Sequence, residues 1–409
     1  MFPFYGASMN SGTSNFLNAS RWVAAFLVVV GHVCAISVNY YAVAHPSLPL
    51  RAIHFLSGFG HISVIVFFVI SGFLVGGRAV LGMESKGFDI IAYLISRFSR
   101  IYTVLVPALI VGFILDRVGI DFFNASGIYT HPAPQFYTNT FGNNITRHLG
   151  FDTFLGNLMQ LQTIVVSSLG SNGPLWSLAN EWWYYVLFGL FMVAYGPGPV
   201  LVRFAMVGAI VAMVIVLPLK ISLWFVIWGV GVGAAVLDRY WSGWRFDIGA
   251  GVAIVCFLAV RWTKARLIPP DPTSLAMEFA PDLVTALGYS IVLVCAKNLK
   301  KPRMSGAHHA LASFSYTVYL VHFPAIVFAA AFMKDVLDIG FERQPTAATI
   351  IYALALLVIL YGYAWLFAAL TEVHTDAVRS RLSLAISNLP YRVHLEFLLS
   401  DRSFQRRRN

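Results

Sequence analysis

Four short stretches of this sequence place ionisable side chains in apolar surroundings. In "RWVAAFLVVVGH" (residues 21–32), Arg21 and His32 bracket ten apolar or small residues. Eleven steps of 100° fall within about 20° of three full turns, so one helix puts both on one stripe, about 16 Å apart along its axis. In "SRFSR" (96–100), Arg97 and Arg100 share a helical face, where two guanidinium forks could hold a phosphate bidentately. "PLWSLANEWWYY" (174–185) carries Glu181 about 10 Å inside an apolar block, a depth at which a carboxylate needs a partner or a proton. "SYTVYLVH" (315–322) ends on His322. A histidine near a carboxylate suits removal of a proton from a hydroxyl, and arginines suit a phosphate-bearing donor.

Plainer readings exist for most of these residues. Arg21 could snorkel to the interface, His32 could be a satisfied core histidine, and the arginine pair could anchor a cytoplasmic loop. Trp182, Trp183, Tyr184 and Tyr185 could form an interfacial aromatic belt. Glu181 has no such explanation.

The elements that must position these residues are membrane spans. The chain has 409 residues, 58% hydrophobic and 11% charged. Soluble domains carry about 25% charged residues, so the polar surface here is too small to cover a water-facing globule. Mean hydropathy is +0.73, and the apolar residues come in long blocks. About ten candidate helices follow, at 20–43, 58–80, 98–117, 174–195, 199–218, 220–237, 247–263, 281–297, 308–333 and 345–370. Each holds roughly the 17–25 residues that a ~30 Å hydrocarbon core requires. The expectation is an all-α polytopic membrane protein. Cys34, Cys256 and Cys295 lie in apolar blocks without paired spacing, which suits small core residues rather than disulfides or a metal site. The net charge of +10 fits lysines and arginines gathered in cytoplasmic loops better than nucleic-acid binding.

The basic loops 81–97 and 298–307 set the orientation, with both termini cytoplasmic and a long outer connection at 118–173. The tail 371–409 reads as a basic segment on anionic inner-leaflet lipid. Counted from the cytoplasmic edge, His32 then stands roughly 16 Å high, and His322 and Glu181 roughly 20 Å. Three helices thus bring proton-handling residues to one level in the outer half of the membrane, above arginines at the inner mouth. That layout suits transfer of a group from a cytoplasmic donor to an outer acceptor. It equally allows a proton-coupled exporter or flippase of a glycan or lipid.

The stretches "RWVAAFLVVVGH", "FFVISGFLVGG" (67–77), "RFSRIY" (97–102), "PLWSLANEWWYY" and "SYTVYLVHFP" resemble, in order, the motifs of the acyltransferase-3 family of integral membrane O-acyltransferases. The resemblance implies a membrane domain over 1–370 in a bacterial inner membrane. It also implies an acyl-coenzyme A donor, acetyl-coenzyme A above all, no metal, and an extracytoplasmic saccharide acceptor. His32 matches the family's essential histidine and Arg21 its partner arginine. Arg97 and Arg100 match the paired arginines, with Arg303 a third basic residue for the donor's phosphates. Glu181 and His322 match the later polar positions. On this reading His32 deprotonates the acceptor or is transiently acylated, Glu181 orients its imidazole, and His322 positions the acceptor. Two departures stand out: Thr103 where the family commonly has proline, and Glu372-Val373-His374 where it often has Glu-x-Pro. Neither is expected to touch the chemistry. The stretch after Leu370 is short for an added hydrolase-like domain, so the stand-alone form is expected.

Overall fold

The apolar blocks become helices, and the breaks fall where glycine, proline or hydroxyl side chains compete for the backbone. A computed structural model describes residues 10–37, 47–130, 145–266, 274–299, 304–339 and 346–388. In chain order the helices are α1 (Ser11–Ser37), α2 (Leu48–Ser57), α3 (Gly60–Ser71), a π-helical turn (Gly72–Gly77), α4 (Arg78–Lys86), α5 (Ile90–Phe122), α6 (Phe151–Leu158), α7 (Leu175–Tyr195) and α8 (Val200–Val216). There follow α9 (Leu219–Tyr240), α10 (Phe246–Arg266), α11 (Leu275–Cys295), α12 (Ser305–Ala312), α13 (Ser315–Leu337), α14 (Ala347–Leu370) and α15 (Thr375–Ser387). Among the described residues the protein is all-α apart from one isolated bridge, Gln162–Val166.

Eight helical stretches of the described residues are long and apolar enough to cross a membrane, fewer than the ten expected. The other two expected spans are helical too. One is α7, whose tryptophans, tyrosines, Asn180 and Glu181 dilute its hydropathy; the other is α8, apolar but only 17 residues long. Boundaries shift as well. Asp89 caps α5 by accepting from the amide of Ala92 at 3.0 Å, so this helix starts before the arginine pair rather than at it. It runs unbroken through Thr103 and Pro107. The predicted helix 308–333 is broken, because the hydroxyls of Ser313 and Ser315 bond back to the carbonyls of Ala310 and Ala312 at a turn between α12 and α13. His322 therefore lies in the second turn of α13, and the longer count behind its expected height does not hold. Residues 1–9 and 389–409, which bear on the expected cytoplasmic termini and basic tail, lie outside the described residues; so does Arg303.

Burial separates central from peripheral helices. In their most apolar windows, 67% of Leu48–Met83, 67% of Leu275–Asn298 and 61% of Ser315–Leu337 is buried, against 17% of Phe246–Lys264 and 22% of the α14 stretch. Helix α8 has no buried residue. A polar side chain on a central helix meets protein rather than lipid, which makes α3, α11 and α13 the places to look for a site. Close approach at the centre depends on glycine. A Cβ on Gly72 would lie 2.0 Å from the carbonyl oxygen of Trp228, and one on Gly231 would lie 2.2 Å from that of Val69. The π-turn and α9 therefore touch backbone to backbone.

In the connection between α5 and α7, residues 145–173 pack against the bundle through buried polar contacts. Asn157, fully buried, donates to the carbonyls of Thr153 and Ser167 and accepts from the amide of Leu169. Asp116 of α5, 1% exposed, accepts from the Ser171 amide and hydroxyl, both at 2.7 Å. Gly170 makes that clasp possible: its φ is +54°, and a Cβ there would stand 2.0 Å from the Asp116 carboxylate.

Candidate active site

Helices α1 and α13 meet at two histidines. His32 Nδ1 and His322 Nε2 are 2.9 Å apart, with ring planes within 4° of parallel. The other nitrogen of His322, Nδ1, faces the carbonyl oxygens of Tyr319 at 2.8 Å and Val318 at 3.1 Å. Carbonyls only accept, so Nδ1 carries the proton and a neutral His322 presents a lone pair at Nε2. His32 must then donate from Nδ1, which leaves the lone pair of a neutral His32 on Nε2. The chain of bonds from the α13 backbone thus selects one tautomer at each ring. Phe323 packs edge-on against His32 at 4.8 Å between centroids.

Proline shapes the surroundings of this pair. Pro324 has no amide hydrogen, so the carbonyl of Leu320 loses its helical donor. Asn172, from the inserted connection, supplies one at 3.0 Å. One turn away, the Tyr319 hydroxyl bonds to Ser177 at 2.6 Å and donates to the Pro174 carbonyl at 3.1 Å. The connection before α7 is thereby pinned to the α13 turn that carries His322.

A second polar group gathers around the arginines. Arg100 Nη1 meets Glu372 Oε1 at 2.5 Å, and Thr317 donates to Glu372 Oε2 at 2.6 Å. The guanidinium of Arg100 also lies over the Tyr316 ring, 4.7 Å from its centroid. Arg21 lies within electrostatic range of Arg100, Glu372 and Glu181. Arg97 turns toward α7 instead: it lies over the Tyr185 ring at 5.8 Å, and its Nη2 donates to Ser96. Its Nε is buried without a hydrogen-bond partner among the described residues. The Tyr185 hydroxyl bonds Glu181 at 2.5 Å and Ser71 at 3.0 Å, and Trp228 donates to the same Ser71 hydroxyl.

His32 and His322 are thus in contact, and Arg21, Arg97, Arg100 and Glu181 form a neighbouring group. The orienting partner of His32 is an imidazole, where the sequence suggested a carboxylate; Glu181 bonds Tyr185. Arg97 and Arg100 diverge, and Arg100 is engaged by Glu372. The aromatic-belt reading fails for Tyr184 and Tyr185, which are 0% and 5% exposed. Glu372 is a residue that sequence reasoning set aside as a departure beyond the chemistry. A carboxylate immediately after a long apolar block was a usable sign that it has a buried cationic partner. Among the described residues no group of three or more His, Cys, Asp or Glu is arranged to hold a metal ion.

Comparison with known proteins bears on this geometry. A family profile, acyltransferase-3, described as an acyltransferase domain, matches residues 14–369. "Acyltransferase MdmB" of Streptomyces mycarofaciens is 26% identical over 374 residues, covering 84% of this chain and 86% of its own. The "O-acetyl transferase" of Shigella phage Sf6 is 29% identical over 185 residues, covering 43% of this chain and 45% of its own. No solved structure matches.

Proposed function

Since this chain belongs to the acyltransferase-3 family and is a membrane acyltransferase, we propose that it moves an acetyl group from cytoplasmic acetyl-coenzyme A to a hydroxyl of an extracytoplasmic glycan or glycoside, in a bacterial inner membrane. The arginine end of the bundle is the donor side, and the end closed by the inserted connection is the acceptor side. The observation that carries the reading is the Tyr319–His322–His32 chain of hydrogen bonds, which leaves His32 Nε2 free to accept a proton. His32 takes the acceptor hydroxyl's proton as the hydroxyl oxygen bonds the acyl carbon. The carbon–sulfur bond breaks, and the departing thiolate receives that proton from His32. His322 holds the imidazolium through the His32 Nδ1–H bond in between. Arg97, whose Nε has no partner among the described residues, suits a phosphate of the donor. Arg100, turned away to Glu372, and Arg21 near that pair supply further positive charge, which Glu372 offsets in part. Arg303 is the third basic candidate. Glu181 fixes Tyr185 under Arg97.

The test is transfer across a membrane. Liposomes holding the full chain, with labelled acetyl-coenzyme A on the arginine side and surface glycan on the other, should place label in base-labile esters of the glycan. His32→Ala should bind coenzyme A and transfer label about 10²–10⁴-fold more slowly. Label that reaches the glycan equally well with His32→Ala would end the mechanism. Glycan that crosses the membrane unesterified would favour an exporter.

A further inference from the structure

A second histidine site stands at the same end of the bundle as His32, and the acyl-transfer chemistry does not use it. Asp282 of α11 is 1% exposed, in a span where an unpaired carboxylate would be costly. It is met by several donors. His61 Nε2 lies 3.0 Å and 2.8 Å from its two oxygens, Trp224 Nε1 donates at 2.9 Å, and Lys264 Nζ donates at 2.8 Å. Four helices, α3, α9, α10 and α11, each send one of these residues from the same end of the bundle. A clasp between helices needs its charged members covered. Here the carboxylate is covered and two of its donors are not: the His61 side chain is 42% exposed and that of Lys264 is 28% exposed.

The geometry also determines what is offered outward. A carboxylate only accepts, so His61 donates from Nε2, and a neutral ring turns a lone pair out at Nδ1, which has no partner among the described residues. Lys264 has two further N–H donors beyond the one given to Asp282. The ring of Trp176 stacks on His61, 6.3 Å between centroids and 13° between planes. Lysine and aspartate cancel, so with a neutral imidazole the group has no net charge. Hydrogen-bonding groups beside a flat aromatic wall match the hydroxyls and apolar face of a sugar, and the Arg261 guanidinium, held nearby by the carbonyls of His54 and Phe55, adds a further donor. The patch also adjoins the reacting end. Gly60 and Gly31, the residues just before His61 and His32, lie close together, since a Cβ on Gly31 would stand 4.0 Å from the Gly60 Cα. Trp176 precedes Ser177, whose hydroxyl bonds Tyr319, and Tyr319 holds His322.

We infer that His61, Lys264 and Trp176 form a subsite for a hydroxyl-rich part of the acceptor, held in place by the buried Asp282 and Trp224. The inference rests on the acyl-transfer reading above. Its test uses the full chain in liposomes with labelled acetyl-coenzyme A, and as probe the surface-glycan fraction from cells lacking the protein. His61→Ala should raise the glycan concentration giving half-maximal rate about tenfold, with the maximal rate within threefold and coenzyme A affinity within twofold. His61→Gln, which keeps a donor to Asp282 and an acceptor, should recover most of the loss. Unchanged half-saturation in both His61→Ala and Lys264→Ala would overturn the subsite. So would equal loss of coenzyme A affinity, since that marks a pillar of the fold. No label transferred by the wild-type chain would instead overturn the acyl-transfer reading, and the subsite with it.

Discussion

His32 and His61 follow closely spaced glycines on adjacent antiparallel helices, yet they are set up for different work by what stands behind them. His32 is backed by a second imidazole, itself tied to a backbone carbonyl, so no formal charge lies behind its ring. His61 is backed by a carboxylate that also engages Lys264 and Trp224. The first arrangement fixes a tautomer and can receive a positive charge during reaction. The second is already balanced and presents a fixed pattern of donors and acceptors. What a histidine does in this protein is set by its partner more than by its depth.

The sharpest way to break this contrast is to remove each ring. His32→Ala should lower the maximal transfer rate about 10²–10⁴-fold, the usual share of a general base, whereas His61→Ala should leave it nearly intact; steady-state rates on both variants check this. Next come the buried carboxylates. Glu372→Gln leaves the Arg100 guanidinium without its counter-charge, at a cost of about 3–5 kcal/mol, read as a fall in thermal stability of the detergent-solubilised protein. His322→Phe removes one hydrogen bond to a developing charge, about 1.5–3 kcal/mol, which is about 10–100-fold in rate. It should change neither coenzyme A affinity nor the acceptor's half-saturation. An effect on half-saturation alone would make His322 a binding group like His61. The smallest effect is at the shared support: Asn172→Ala orphans the Leu320 carbonyl and should cost about 1–2 kcal/mol, seen as earlier melting and a modest rate loss.

Much of the candidate site was legible because a membrane makes polar residues conspicuous. Arg21, His32, Glu181 and His322 stood out against apolar blocks, and the spacing of the first two followed from helical geometry. The pairing within that set was not legible. Glu181 was expected at His32 and lies on Tyr185, because which faces of α1, α7 and α13 meet depends on packing that no local period encodes. Glu372 was set aside and Asp282 overlooked for a related reason: the sequence put each at the edge of an apolar block, where a carboxylate ordinarily faces water, whereas α11 begins at Leu275, two turns before Asp282. Their burial follows from neighbouring helices covering them.

Sequence alone determined that this chain is a helical membrane protein, which stretches set polar residues in apolar blocks, and the family those stretches resemble. Composition and period decide such things locally, residue by residue, since lipid penalises every uncovered polar group. The tertiary structure decided which imidazole backs which, that Pro324 opens a carbonyl for Asn172, and that Glu372 reaches Arg100. Those are contacts between residues far apart in the chain. Their energies exist only once glycine-lined helices have come within touching distance.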